Sequence, residues 1–557
     1  MLKTNVVVCL VVFLLACGQD NAFEVTLDSA QNAASSITAD ELRAVVQEIA
    51  SDAYEGRGPG TRGDEKTQAY LVAALKEIGL QGGATNGGYI QEVGLVSVNT
   101  EQPQTWSFGF EDQEIVFKKN DEFIAASGVQ REQAVIDDAE VVFVGYGIQA
   151  PEYQWDDYAG ANLKGKVLLM LNNDPDWDPN LFSGTTRQYY GRWTYKYESA
   201  AAQGAVGAII IHTRDSAGYP WQVVQTSWTG PQFELPAEGE ARSQVTGWLT
   251  ENAAERLVRL ANFELDELIQ HARHRDFKPV PLGINTSLTL NNKIEHTASA
   301  NVLGLLPGSD PVLKSEVVVY SAHHDHLGIG PENNTGDHIY NGAMDNATGV
   351  TAVLEIAEAF TKLDSAPKRS VLFALVAAEE QGLLGSQFYA RHPTFAAGKI
   401  AANINFDGGN AIGPSSDIGF IGLGKSSLDD VAREVAGFQG RVVVGDSVPQ
   451  QGLFYRSDQF NFAKIGVPAT FVRGGSKIIG KPEGWGAEIS LNYIANDYHQ
   501  PSDEISPDWR FDGMVEDAQY GFYLGFLVAN QLEMPAWNAG DEFEAARLKA
   551  ITAAESE

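Results

Sequence analysis

The chain has 557 residues, too many for one hydrophobic core, so several units of roughly 100–200 residues each are expected. With 44% hydrophobic and 20% charged residues it has an ordinary globular composition. Lys and Arg number 39 against 73 Asp and Glu, and the net charge of −34 excludes the clustered basic surface that nucleic acid or an anionic membrane would need. The two cysteines, Cys9 and Cys17, both fall in the first twenty residues. The body therefore has no disulfide and no thiolate, and any metal there must be held by His, Asp and Glu.

Residues 1–17 read MLKTNVVVCLVVFLLAC, a basic n-region at Lys3 followed by an apolar run too short to span a membrane. The run ends in Leu14-Leu15-Ala16-Cys17, which resembles a bacterial lipobox, with Cys17 as the lipidated mature terminus. Gly18 stands where lipoproteins retained at the inner membrane carry Asp, so the resemblance points to the outer membrane or to secretion. A lipidated terminus anchors the chain without spanning the bilayer.

Residues 18–35 are small and polar and read as a tether. Thr38 or Asp40 can cap a helix whose apolar face is Leu42, Val45, Val46 and Ile49. After a Gly-rich loop, EGRGPGTRG at 55–63, a second helix carries Tyr70, Leu71, Ala74, Leu75 and Ile78 on one face and stops at Gly79. Residues 105–145 alternate like strands, and apolar runs at 141–144 and 167–171 read as buried strands between Gly, Pro and Asp turns. A helix and strand follow at 196–212. From about 297, strand-like runs at 317–321, 370–376, 402–406 and 469–472 alternate with helical stretches at 347–363, 382–391 and 427–436. This alternation predicts an α/β domain with a mixed, mostly parallel central sheet flanked by helices, with ligands at the carboxyl ends of its strands.

Five metal-ligating side chains follow or close such runs. His323 follows VVVYSA, and Asp325 lies two residues on, where a carboxylate can orient the imidazole. Asp345 opens a helix in NGAMDNATGV. Glu379 and Glu380 end a buried run in VLFALVAAEE, Asp407 ends ANINFD, and His499 lies in NDYHQPSDE. Two His and three carboxylates suit two Zn²⁺ ions sharing one bridging carboxylate.

The order H-x-D, D-N-x-x-G, E-E, N-F-D and Y-H-x-P-S-D resembles the family-28 zinc metallopeptidases, which include di-zinc leucyl aminopeptidases and glutamate carboxypeptidase. The resemblance runs from the EGRGPGTRG loop to about residue 530, and the 130–285 segment resembles the protease-associated domain inserted in such enzymes. With the signal peptide over 1–17 and the tether over 18–35, this leaves peptidase segments at 36–129 and 286–535 and a C-terminal tail at 536–557. The resemblance further implies that Asp345 bridges the metals, with His323 and Asp407 completing one zinc and Glu380 and His499 the other. The family's cis peptide after the bridging Asp falls at Asp345-Asn346.

In such a centre Glu379, next to ligand Glu380 yet free, is the general base that takes a proton from the attacking water and passes it to the leaving amine. Tyr498 can donate to the oxyanion, or serve as a packing residue. Ser457 and Asp458, in YRSDQFNFAKIGVPA, resemble a motif lining the cleft, in a substrate-binding or supporting role. Arg57 and Arg456 can meet substrate carboxylates or be structural. His324 faces away from His323, His326 lines the rim, and His212, His271, His274, His296, His338 and His392 are structural or exposed. The reading is a zinc-dependent aminopeptidase acting on peptides. A carboxypeptidase or dipeptidase on the same centre, a single-zinc glutaminyl cyclase, and an inactive binding protein are the alternatives. Intact ligands and Glu379 argue against the last, and paired ligands against the cyclase.

Overall fold

The computed structural model describes residues 27–217, 219–333 and 335–556. The segment expected to be a leader, 1–17 with its Cys17, lies outside the described residues.

The segments that carry the expected ligands hang from one sheet, built from β1 (Ile90–Glu101), β2 (Val280–Leu306), β3 (Val317–His323), β4 (Ser370–Val376), β5 (Ile400–Phe406), β6 (Asp417–Ile421) and β7 (Ala469–Gly474). Across the sheet the order is β1, β2, β4, β3, β5, β7, β6. The central strands β4, β3, β5 and β7 are mutually parallel and the outer pairings antiparallel, as the mixed, mostly parallel expectation had it.

Every residue of β3, β4 and β5 is buried, because both faces are covered; this is why their sequences are continuous apolar runs without alternation. Val318, Tyr320, Phe373, Leu375 and Ile404 point into a core shared with the helices on one face. Val317, Val319, Leu372 and Ala374 point into a second core on the other.

The helices on the first face are α1 (Leu27–Ala34), α2 (Ala39–Ile49), α3 (Arg62–Ile78), α4 (Thr348–Thr361) and α5 (Asp512–Asn530). Thr38 caps α2: its hydroxyl accepts from the Glu41 amide and donates to the Glu41 carboxylate, an arrangement worth about 1 kcal/mol. Leu42, Val46 and Ile49 are its buried face. Helix α3 stops at Gly79, whose φ of 90° an L side chain would resist.

The segment expected to be a tether is helical from Leu27, and Ala30, Ala33 and Ala34 are buried, small enough to bring α1 close to α4 and α5. The expected tail is also packed. Trp537 and Phe543 are buried, and the buried Arg547 guanidinium donates to the Ile400 carbonyl at 2.9 Å.

A second body has its own core. Strands Phe123–Ser127, Gln133–Phe143, Val167–Leu171, Gly207–His212 and Val245–Thr250 surround Trp106, Phe108, Phe117 and Phe143. Strand β2 joins the bodies: its first half pairs with Gln133–Phe143 and its second half with β1 and β4.

Candidate metal centre

The sheet brings the ligating segments together at its carboxyl edge. His323 is the last residue of β3 and lies beside Val376 at the end of β4. Glu379 and Glu380 follow β4, and Asp407 follows β5. Asp345 sits in a short turn that leads into α4, and the Asp345-Asn346 peptide is cis, where the family resemblance placed it. The Asn346 side chain accepts from the Gly408 amide at 2.8 Å and donates to the Phe406 carbonyl at 3.0 Å, so the Asp345 and Asp407 segments are pinned to each other.

Asp345 occupies the middle. Its Oδ1 lies 3.2 Å from His323 Nε2, and its Oδ2 lies 3.2 Å from His499 Nε2. His323 Nε2 is also 3.4 Å from Asp407 Oδ1 and 4.0 Å from Glu379 Oε2. On the other side His499 Nε2 is 3.0 Å from Glu380 Oε2. All five expected ligands thus form two adjoining groups that share Asp345, and Glu379 stands at the His323 side.

Burial alone would lower the His323 imidazole, but the carboxylates of Glu379, Asp345 and Asp407 outweigh it and hold it well above the ordinary histidine range. Burial likewise opposes charging His499, yet contacts with Asp345 and Glu380 push it up to about 10. Asp345 is held well below the usual carboxylate range, since three histidines overcome its desolvation. Glu379 is pushed well above that range, chiefly by burial, with Asp407, Glu380 and Asp458 adding to it against the pull of His323. A dense group of carboxylates and imidazoles with shifts this large is the electrostatic mark of a functional site.

The donors fit a pair of zinc ions. Within 4.8 Å of one another lie ligand atoms of His323, Glu379 and Asp407, and separately of His326, Asp345 and Glu380. Glu380 Oε1, His499 Nε2 and both ring nitrogens of His326 are buried without a hydrogen-bond partner among the described residues. Buried polar atoms left in this state cost free energy unless something fills their demand, and imidazole with carboxylate is a zinc donor set.

The remaining expected residues take different places. Asp325 is fully buried; its Oδ1 accepts from the Glu379 amide at 3.0 Å and its Oδ2 from the Glu380 amide at 3.3 Å. Its carboxylate is 3.9 Å from His323 Nδ1, and its own carbonyl is nearer, at 3.2 Å. Asp325 therefore fixes the Glu379-Glu380 segment as well as facing His323. Tyr498 is 42% exposed and stacks on the His499 ring at 3.9 Å between centroids. Ser457 and Asp458 are buried behind the centre; the Ser457 hydroxyl accepts from Asn405 at 2.8 Å.

Arg57 is a structural hub: from full burial it donates to the carbonyls of His324, Ile49, Asn341 and Gly342, tying the His323 loop to the Asp345 loop. His324 faces away as expected, with Nε2 3.0 Å from the Ala300 carbonyl. His326 is not on the rim. The strand ends at His323 and the chain turns, so alternation no longer governs, and His326 lies fully buried with Nδ1 2.6 Å from Glu380 Oε1. Asp503 was not singled out, although it ends the Y-H-x-P-S-D motif. It accepts from the Met344 and Asp345 amides at 3.0 and 3.1 Å and from the Tyr493 hydroxyl at 3.1 Å, holding the bridging Asp in place.

Residues 301–522 match peptidase family M28. The leucine aminopeptidase 2 of Trichophyton rubrum is 28% identical over 236 residues, 40% of this chain and 43% of that protein. The probable leucine aminopeptidase 2 of Aspergillus oryzae is 27% identical over 247 residues, 40% of this chain and 44% of that one. The chain thus spans less than half the length of these curated relatives. Among solved structures, an aminopeptidase from Aneurinibacillus sp. strain AM-1 has a TM-score of 0.46 at 17% identity, covering 91% of this chain and 100% of that one. A zinc aminopeptidase from Bacillus subtilis has a TM-score of 0.42 at 17% identity, covering 91% and 98%.

Proposed function

We propose that this chain, whose residues 301–522 are a peptidase family M28 domain, is a two-zinc aminopeptidase that removes N-terminal residues from peptides. The observation that carries the reading is Asp345, with one oxygen toward His323 and the other toward His499, and Glu379 free beside them. The leucine aminopeptidase names of the curated relatives support the amino- over the carboxypeptidase reading.

His323, Asp407 and Asp345 would hold one zinc, and Asp345, Glu380 and His499 the other. Bound zinc would supply Lewis acidity, lowering the pKa of water and polarising the scissile carbonyl. Glu379 takes the proton from the attacking water and delivers it to the leaving amine. Asp325 holds Glu379 by its amide so that the carboxylate stays at the His323 side. Tyr498, exposed beside His499, donates to the oxyanion that develops on the carbonyl. Ser457 and Asp458 support the centre from behind.

We also read the second body as the protease-associated insert; Trp106, Phe108, Phe117 and the strand Phe123–Ser127 belong to its core, so it begins ahead of the expected bounds of 130–285. The sequence at Leu14–Cys17 supports an exported, lipid-anchored envelope protein.

The test is hydrolysis of aminoacyl-p-nitroanilides and N-blocked peptides, with and without a chelator. The reading expects zinc-dependent release from free N-termini only. Cleavage of N-blocked peptides at their C-terminus would replace it with the carboxypeptidase.

A further inference from the structure

His326 stands out because its burial is complete and its chemistry is unspent. The ring has no exposed surface, and neither nitrogen has a hydrogen-bond partner among the described residues. A neutral imidazole carries one donor and one acceptor, and leaving both unmade in the interior is costly. Nδ1 nevertheless touches Glu380 Oε1 at 2.6 Å, without the alignment of a hydrogen bond. His499 shows the same signature: Nε2 is 3.0 Å from Glu380 Oε2 and 3.2 Å from Asp345 Oδ2, again unaligned. Atoms that crowd together without pointing at one another are arranged as ligands of a common cation are.

The fold makes room for this ring. Gly342 lies against it with φ of 55°, and a Cβ there would come within 2.5 Å of His326 Cγ. Asp345 Oδ2 is 4.0 Å from His326 Nδ1, and the His326 and His499 rings are 5.7 Å apart. His326, Asp345 and Glu380 together form one of the two groups with ligand atoms inside 4.8 Å.

We propose that His326 is a direct ligand, through Nδ1, of the zinc held by Asp345, Glu380 and His499. The inference rests on the two-zinc reading above and sharpens it. The centre is then uneven: this ion takes two imidazoles, while the ion at His323 and Asp407 takes one. With one protein ligand more, the His326 side is expected to hold its ion more tightly, and the His323 side to lose its ion first to a chelator.

X-ray absorption on the zinc-loaded, full-length wild-type chain decides the matter, because it counts imidazoles per metal without relying on a variant. The proposal expects three imidazoles shared between two zinc ions; two shared between two ions would overturn it. Zinc titration of the apoprotein gives the second measurement. His326→Ala, and His326→Gln as the variant that keeps side-chain volume, should bind one zinc as wild type does and the other about 100-fold more weakly or worse. Unchanged binding of both ions by a folded variant would contradict the assignment. A wild-type chain that binds no zinc at all would instead remove the metalloenzyme reading, and this assignment with it.

Discussion

Two clusters of buried charge in this chain are treated in opposite ways. In the second body, Lys196 has no exposed surface and donates to the Tyr146 carbonyl at 2.6 Å. Beside it, Asp174 accepts from the Gln188 amide at 2.8 Å, and Asp157 accepts from the Ile148 amide at 3.0 Å and the Trp155 indole at 2.9 Å. Burial pulls the Lys196 ammonium down and pushes both carboxyls up, while their opposite charges restrain each other. At the metal centre the depth of burial is similar, yet Glu380, His326 and His499 keep ligand atoms without hydrogen bonds. In the first cluster each of the three charged groups has a backbone partner. The second leaves those atoms without hydrogen-bond partners among the described residues. Burial of charge alone therefore does not mark a site; what sets the second cluster apart is that unpartnered imidazole and carboxylate atoms converge within metal-ligand reach of one another.

Substitutions at the two clusters should fail differently. Asp345→Asn strikes the group both halves of the centre share. Zinc content should fall and turnover drop by about 10³-fold or more, read by metal analysis and steady-state kinetics, since several kcal/mol of charge stabilisation goes with the ions. Lys196→Met should leave zinc content unchanged but cost about 3–5 kcal/mol in denaturant unfolding, because two buried carboxylates lose their counter-charge. If Lys196→Met instead released zinc, the two clusters would not be separate.

Asp503→Asn probes a residue that holds Asp345 without ligating. Competition against a chelator should show zinc binding weakened about 10–100-fold.

The smallest effect is expected at Glu355, buried in α4, whose carboxyl is pushed up to about 8 by burial and by nearby Glu41 and Glu358. The folded state binds this proton more tightly than the unfolded state, so stability falls as pH rises from about 4.5 to about 8. Glu355→Gln should therefore stabilise the chain by ~1–2 kcal/mol at pH values above that window and change little below it, as thermal melts at the two ends would show.

Much of the centre was legible because its ligands punctuate buried strands. A run such as VVVYSA or VLFALVAA that ends abruptly in His or Glu-Glu has few structural explanations, and the strands end side by side. His326 is buried rather than on the rim because the strand stops at His323 and the turn that follows has no side-chain periodicity to read. The holding role of Asp503, and which of its two roles Arg57 takes, were hard to see for another reason: their partners are mostly backbone amides and carbonyls, which leave no trace in side-chain patterns. The helix at Leu27–Ala34 was hidden by its composition, since small residues that permit close packing also read as linker.

In the proposed mechanism Glu379 acts as a base beside a metal centre it does not hold together. The direct measurement is zinc content and turnover on one sample of Glu379→Gln. The account predicts two zinc ions per chain, as in wild type, with kcat reduced by about 10²–10⁴-fold. Turnover near wild type at full zinc occupancy would contradict it.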